Sequence, residues 1–222
     1  MPKIFLSTFI FAILVAFVAC TPPTAPKEKT APKPEPKKEV PTNPTTQKKE
    51  VELPPGAMVL RGDITFVGRK VIGSHDFVFK KWTGYAQLKD EKIAGGSIRF
   101  QIETASVVAD EGNRSKWTPK LEAHMKDPDF FHVEKFPTAT FSSSNIAAET
   151  TNSANTYRIS GTLNIKGISK EVTFPAVITM ENGKPNASAE ITINRQDFGI
   201  KYPGKPDNLI QDNVVITIKA KG

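Results

Sequence analysis

The sequence has little of what disulfide-bonded and metal-dependent proteins use. It contains one cysteine (Cys20) and three histidines (His75, His124 and His132) among 222 residues. A single cysteine excludes an intrachain disulfide and any zinc or iron–sulfur site built from several thiolates. Three histidines leave few ligands for a metal centre. We therefore predict no metal site and no cofactor.

Motifs of common enzyme classes are also missing. The three serines at residues 142–144 lack the Gly-x-Ser-x-Gly surroundings of an esterase nucleophile. The chain has no P-loop, dinucleotide-binding fingerprint or zinc-protease motif. His124 lies two residues from Glu122, a spacing that does not place two metal ligands on one helical face. We predict no catalytic residue and no enzymatic activity, with a structural role for His124; an enzyme acting on a lipid is the alternative.

The net charge of +7 does not by itself indicate nucleic-acid binding. Residues 1–56 carry eight lysines and five glutamates, so much of the excess lies in a short N-terminal segment. The rest of the chain mixes both signs, which is typical of a solvated surface. We predict no nucleic-acid partner.

The first twenty residues have the pattern of a bacterial export signal. Lys3 precedes an almost entirely apolar run over residues 4–19, which is shorter than the about 20 residues that span a bilayer. Residues 17–20, Phe-Val-Ala-Cys, resemble a lipobox, although leucine is commoner at the position of Phe17. We predict a lipoprotein signal peptide over residues 1–19 and lipidation of Cys20. A cleaved secretory signal with an incidental cysteine, or an uncleaved anchor, remains open.

The predicted lipidation sets the predicted location. A lipidated N-terminus would hold the protein on a membrane of the bacterial cell envelope. Thr21 follows the cysteine where aspartate would favour the inner membrane under the enterobacterial sorting rule. We therefore expect a lipid-anchored protein on the outer membrane, facing the periplasm.

Residues 20–56 are predicted to form the lipidated N-terminus and a disordered linker rich in proline and lysine. Ten of residues 21–56 are proline, and none is aromatic. Such a segment buries too little apolar surface to offset the entropy of ordering. Proline-rich chains favour an extended helix of about 3.1 Å per residue, so the segment could reach on the order of 100 Å. We predict a spacer, with partner docking as the alternative.

From residue 57 onward, apolar and polar residues alternate as they do in antiparallel strands with one face in water. The alternating stretches are residues 71–79, 98–103, 157–166, 172–180, 187–193 and 214–220. Turn signals such as Gly95-Gly96 and Asn182-Gly183 separate them. Pro175 predicts a bulge or an edge position within its strand. About eight strands and little helix indicate an up-and-down barrel or a sandwich.

One short helical insert is expected near residues 118–131. Thr118 is predicted to cap a helix, with Pro119 at its first position. Leu121 and Met125 lie one helical turn apart and could cover one end of a barrel.

Several blocks of sequence resemble the signature of the YceI-like family. They lie at residues 121–143, 161–174 and 194–200, and residues 73–75 stand where an early block belongs. The resemblance implies an all-β fold, an antiparallel eight-stranded lipocalin-like barrel, with the helical insert near residues 118–131. We place this domain at residues 57–222. Structurally known members hold a polyisoprenoid or a related amphiphile, and the family is described as non-enzymatic.

The inward-facing apolar side chains of this barrel are the predicted ligand-binding residues. They are Phe77, Phe79, Phe100, Ile102, Phe141, Leu163, Ile165, Phe174, Ile178, Ile191, Ile193, Ile216 and Ile218. The residues alone favour an ordinary filled core, since every barrel needs an apolar interior, whereas the resemblance favours a cavity. Arg195 is predicted either to pair with Asp197 or to contact a lipid head group at the rim.

The predicted function is binding and sequestration of a long-chain, polyisoprenoid-like amphiphile in the cell envelope. Each buried methylene contributes about 0.8 kcal/mol, whereas an exposed ion pair contributes about 0–1 kcal/mol. Tail length should therefore determine affinity more than the head group does. The expected partners are this lipid and, through the anchor, a membrane. The alternative is a filled barrel that acts as an envelope-stress or protein-interaction module.

Overall fold

The computed structural model describes residues 53–149 and 155–222. The predicted signal peptide, Cys20 and most of the predicted linker lie outside the described residues. The strands are β1 (Met58–Val59), β2 (Arg61–Arg69), β3 (Ser74–Phe79), β4 (Trp82–Lys89), β5 (Lys92–Glu103), β6 (Val107–Ala109), β7 (Thr138–Ala148), β8 (Thr156–Ile165), β9 (Ile168–Glu181), β10 (Lys184–Asn194), β11 (Gly204–Lys205), β12 (Asn208–Leu209) and β13 (Asn213–Lys221). One α-helix, α1 (Thr118–Lys126), and two 3-10 turns, Thr104–Ser106 and Arg195–Phe198, complete these elements.

Antiparallel pairing joins eleven of these strands in the order β1-β4-β5-β7-β8-β9-β10-β13-β2-β3-β6. Only Leu60 separates β1 from β2, and its amide donates to the carbonyl of Gly84 in β4 (2.9 Å). The β1–β2 run pairs with β4 on one side and with β13 on the other, so the pairing closes on itself.

The predicted all-β, lipocalin-like antiparallel fold with one helix is confirmed. The strand count is higher than predicted because three long strands are each interrupted and therefore count as two. Residues 80–81 separate β3 from β4, and the turn at Thr104–Ser106 separates β5 from β6, as Leu60 separates β1 from β2. When each interrupted run is taken as one strand, and the small hairpin β11–β12 is set aside, the barrel has the eight strands predicted.

The helix begins differently from the prediction. Trp117 occupies the N-cap position, and Thr118 is the first helical residue. The Thr118 hydroxyl accepts a hydrogen bond from the Ser115 amide (2.9 Å), so it stabilises the turn before the helix instead of capping it. The helix ends at Lys126, and the rest of the predicted insert forms turns. Among the described residues, no helix has the length and apolar character needed to cross a membrane.

Pro175 occupies the edge-like position that its sequence context predicted. It pairs with Arg158 of β8, whereas the pairing of β9 with β10 ends one residue later, at Ala176 and Ala189. The missing proline amide therefore interrupts no hydrogen bond between β9 and β10.

Candidate ligand-binding cavity

The barrel encloses a cavity of about 370 Å³. This lies within the range of about 300–1,000 Å³ that is usual for small-molecule sites. Most of the predicted ligand-binding residues line it, because alternation along the strands turns them to the same side. They are Phe77, Phe79, Phe100, Ile102, Phe141, Leu163, Ile165, Ile191, Ile193, Ile216 and Ile218.

The other two predicted residues, Phe174 and Ile178, line a second cavity of about 50 Å³ and not the large one. Phe100, Phe141 and Ile218 line both cavities and so form the wall between them. The two phenylalanine rings lie against glycines. A Cβ atom on Gly84 would lie 2.6 Å from the Phe100 ring, and one on Gly161 would lie 2.7 Å from the Phe141 ring. The wall therefore depends on two positions that have no side chain.

Several lining residues were not identified from the sequence. They are Ile64 and Phe66 of β2, Leu121 and Met125 of α1, and Phe130, Phe131, Ala139, Ile200, Tyr202, Ile210 and Val214. The Phe66 ring stacks on Phe77 with centroids 4.6 Å apart, and Phe131 meets Phe66 edge-on at 6.0 Å. The alternation of Ile64 and Phe66 could have identified the β2 residues. The one-turn spacing of Leu121 and Met125 did predict that the helix covers one end.

Polar side chains border the cavity at one end of the barrel, which we call the mouth. Lys70, His75, Lys205 and Asn208 lie there, between the β2–β3 turn and the hairpin β11–β12. Lys70 Nζ is 3.3 Å from His75 Nε2, and His75 Nδ1 is 2.8 Å from Asp110 Oδ2. The cavity is therefore apolar along its length and polar where it meets the surface.

Arg195 lies beside the mouth and is almost fully buried, with 4% of its surface exposed. Its five N–H donors are matched by five acceptors: the carbonyl oxygens of Ile200, Tyr202, Ile210 and Gln211, and Asp212 Oδ1. The predicted pair with Asp197 is wrong, because the charged partner is Asp212 at 2.9 Å. With these contacts Arg195 holds the segment from residue 200 to 212 together. Its contact with a head group stays a prediction.

His124 lines the cavity and makes contacts within the protein, and its structural role stays a prediction. Its Nε2 atom is 3.2 Å from Asp129 Oδ2. Its ring meets Phe130 and Tyr202 edge-on, with centroids 5.0 and 4.9 Å away. The contacts join α1 to the segment that Arg195 organises. Lys166 adds a further link by donating to the carbonyls of Pro128 (2.6 Å) and Gly199 (3.2 Å), and burial lowers the pKa of its ammonium.

Glu122 links the helix to β6 through hydrogen bonds. Its carboxylate accepts hydrogen bonds from the Ala109 amide (3.0 Å) and from Arg114 (2.6 and 3.2 Å). The Arg114 guanidinium lowers the pKa of this carboxyl group, while burial acts in the opposite direction. Because the folded-state pKa is lowered, the stabilisation is present above the unfolded pKa of about 4.3 and is lost as pH falls through the folded value.

We expect Glu122→Gln to weaken the helix at neutral pH, and the difference from wild type to become smaller as the pH falls. The variant loses a charge-assisted hydrogen bond to an exposed arginine, so the effect should be small. Hydrogen exchange of the α1 amides at pH 7 and at pH 3 measures this. Glu134→Gln is the control, since no hydrogen bond or ion pair of that exposed side chain is found among the described residues. Equal protection of wild type and Glu122→Gln at pH 7 would contradict the assigned role.

Groups that could hold a metal are not assembled in the described part of the chain. No three His, Cys, Asp or Glu side chains there are placed to share an ion. What the cavity offers chemically is apolar contact along its walls and hydrogen bonding at its mouth.

Comparison with known proteins identifies a matching family and several related sequences. The model of a family described as YceI-like domain matches residues 59–222. A UPF0312 protein of Pseudomonas putida strain F1 is 30% identical over 132 residues, and one of Pseudomonas fluorescens strain SBW25 is 31% identical. These alignments cover 57% of this chain and 64% of each relative, so they span less than two thirds of the relatives' length.

Solved structures share the fold. Burkholderia cenocepacia BcnA aligns with a TM-score of 0.62 at 24% identity, over 72% of this chain and 95% of its own. A polyisoprenoid binding domain from Saccharophagus degradans, implicated in plant cell wall breakdown, aligns with a TM-score of 0.56 at 14% identity, over 75% and 97%. A Campylobacter jejuni YCEI protein gives 0.51 at 20% identity, over 66% and 82%. Because the family model covers most of the sequence, this chain belongs to the YceI-like domain family.

Proposed function

We propose that this protein binds the apolar tail of a polyisoprenoid-like lipid inside the barrel and sequesters it without chemical change. The observation that carries the proposal is the cavity of about 370 Å³, which is walled mainly by aliphatic and aromatic side chains and has a group of polar side chains at its mouth. The similarity of the fold to that of a polyisoprenoid binding domain supports the same class of ligand.

The energetics favour a long hydrocarbon over a small polar ligand. Each methylene moved from water into the cavity contributes about 0.8 kcal/mol, so one five-carbon prenyl unit contributes roughly 3–4 kcal/mol before the cost of ordering it. The described residues that line the cavity are mostly aliphatic and aromatic and offer few hydrogen-bond donors to a small polar ligand. The polar end of the lipid would remain at the mouth, near Lys70 and Lys205.

Native mass spectrometry of the protein, isolated from bacterial membranes with gentle detergent, tests this proposal. We expect a mass increment that corresponds to one lipid per chain and that disappears after organic extraction. The extracted protein should take the lipid up again from polyprenol-containing vesicles. A chain that carries no lipid and takes up none would leave the filled barrel of the alternative hypothesis.

Phe141 is expected to limit the length of the bound tail, because its ring forms part of the wall between the two cavities. Phe141→Leu should join them and shift binding towards longer polyprenols, at a cost in stability of about 0.5–3 kcal/mol. Competition among polyprenols of graded length, read by mass spectrometry, measures the shift. Ile178→Val is the control, because Ile178 lines only the small cavity. An unchanged length preference in Phe141→Leu would show that the wall sets no limit.

We further propose that the barrel is held in the cell envelope by lipid attached to Cys20. The lipobox-like residues 17–20 support this, as does the absence of any other thiol. Cys20→Ala removes the residue that would carry the acyl chains, and stable anchoring needs two such chains. The protein should therefore move from the membrane fraction to the soluble fraction of disrupted cells. Ser7→Ala, within the same predicted signal, is the control. Full retention of the Cys20→Ala protein on membranes would count against lipidation.

A further inference from the structure

We propose that the rim of the mouth docks onto a bilayer surface that contains anionic lipid. We call this rim the docking lip. It consists of Val71 and Ile72 in the β2–β3 turn, Leu209 on β12, and the basic residues Lys70 and Lys205. Docking would let a lipid pass between bilayer and cavity without crossing water. In this respect alone the inference rests on the proposed function.

The apolar side chains of the docking lip are exposed to solvent and are not part of the barrel core. Val71 is 67% exposed, Ile72 73% and Leu209 49%. Surface turns are usually built from polar residues, glycine and proline, and an aliphatic pair at the tip of a turn has a cost in water. Partial insertion into a bilayer interface removes that cost.

Backbone hydrogen bonds join the two turns into one surface. The Val71 amide donates to the Leu209 carbonyl (3.1 Å), and the Ile72 amide donates to Asn208 Oδ1 (3.0 Å). Lys70 also forms an isolated bridge with Ile210. The three exposed side chains therefore belong to a single patch that borders the opening of the cavity.

The charges on the lip complement an anionic surface. Residues 69–73 and 201–209 contain Arg69, Lys70, Lys201 and Lys205 against a single acidic residue, Asp207. Within the described residues, the side chains of Lys201 and Lys205 have no hydrogen bond or ion pair, so their ammonium groups are free for lipid phosphates. Each such lysine near an anionic bilayer contributes about 1 kcal/mol, or roughly fivefold in affinity.

Among the described residues the lip is left exposed, and its charge argues against a second copy as its occupant. Leu53, where the description of the chain begins, lies at the opposite end, near the β4–β5 turn, because Gln87 Nε2 donates to the Pro55 carbonyl (3.0 Å). Two docking lips placed face to face would bring four or more positive groups together. A bilayer satisfies both the apolar and the basic parts of the surface.

A fluorescent probe placed on the lip tests the proposal. The full chain with Cys20→Ala and Ile72→Cys is labelled with an NBD dye and mixed with vesicles of phosphatidylcholine, with or without phosphatidylglycerol. The matched control carries the dye at Lys184→Cys, at the opposite end of the barrel. We expect the emission of the dye at residue 72 to shift to the blue and to be quenched by spin-labelled lipid, most strongly with phosphatidylglycerol. The dye at residue 184 should remain in water.

Substitutions on the lip separate its two contributions. With the dye at residue 71 (Val71→Cys), Ile72→Ser should reduce vesicle partitioning of the lip on the order of 10- to 100-fold. Lys205→Gln should reduce it roughly fivefold, and only when phosphatidylglycerol is present. Val177→Ser, at an exposed site away from the mouth, should change nothing.

Three results would overturn the proposal. The dye at residue 72 could remain in water with both kinds of vesicle, or the dyes at residues 72 and 184 could respond equally. Sedimentation could instead show a dimer that Ile72→Ser dissociates, which would make a second copy the occupant. If the lip inserts into vesicles but the protein takes up no lipid, the docking proposal stands and only the proposed lipid ligand is refuted.

Discussion

Replacing Arg195 with methionine is expected to destabilise the protein by about 3–5 kcal/mol and to open the mouth of the cavity. The methionine side chain fills similar space but donates no hydrogen bond, so four carbonyl oxygens lose their Arg195 donor and, among the described residues, Asp212 keeps only Gln196 as a side-chain donor. Arg195 is buried whereas Asp212 is exposed to a large extent, so the loss comes mainly from carbonyl oxygens left without a donor, each of which costs about 1–3 kcal/mol when buried. Urea unfolding measures the loss, and hydrogen exchange should show it first in residues 199–212.

The control for this experiment is Asp197→Asn. Spacing along the chain predicted that Asp197 pairs with Arg195, yet the structure gives that place to Asp212. A change at Asp197 should therefore alter stability by no more than about 0.5 kcal/mol. If Arg195→Met proved as stable as wild type while Asp197→Asn unfolded, the assignment of partners would be wrong.

Placing aspartate at Ile193 is expected to abolish lipid uptake or folding. Ile193 is 8% exposed and lines the large cavity. An unpaired carboxylate there costs several kcal/mol when ionised and cannot share the space with a hydrocarbon chain. Circular dichroism reports folding, and uptake of a polyprenol from vesicles reports function. Ile165→Asp, at another position on the cavity wall, should behave in the same way.

The neighbouring residue supplies a sharp control. Thr192 precedes Ile193 on β10, and its side chain is exposed on the outer face of the barrel. Thr192→Asp should therefore fold and bind lipid as wild type does. Full lipid uptake by Ile193→Asp would mean that this face of β10 does not contact the ligand.

Much of the barrel was predictable because alternation along a strand reports directly which face is buried. The strands whose inner faces are uniformly apolar, such as β8 and β10, were identified from residues 157–166 and 187–193. In β4, three successive residues, Gly84, Tyr85 and Ala86, are all buried, so alternation is lost near the place where the strand pairs with β1. In β2 the apolar residues are few and stand among glycine and aspartate.

The surroundings of Arg195 could not be predicted for a different reason. Residues that stand two apart on a strand lie on the same face. A continuous strand would therefore have placed Asp197 beside Arg195. The chain instead forms a 3-10 turn over Arg195–Phe198, which ends at Gly199 with a φ of 71°. The partners come from residues 200–212, and such nonlocal contacts leave no local signal.

The cavity itself is also beyond the reach of a sequence pattern. Apolar side chains of the same types can fill a barrel or surround a space. The space depends on how the rings of Phe100 and Phe141 settle against Gly84 and Gly161, and on how α1 closes over the interior. Such packing is a property of the assembled barrel and not of any one strand.

The central claim is that the barrel has room for a foreign hydrocarbon chain. A crystal structure of the protein, purified gently from the cells that make it so that any bound lipid is retained, would test it most directly. We expect continuous tubular electron density that runs from Lys70 and Lys205 at the mouth towards Phe141 and belongs to no residue of the chain. Side chains that meet across the barrel axis and leave no space between them would contradict the claim.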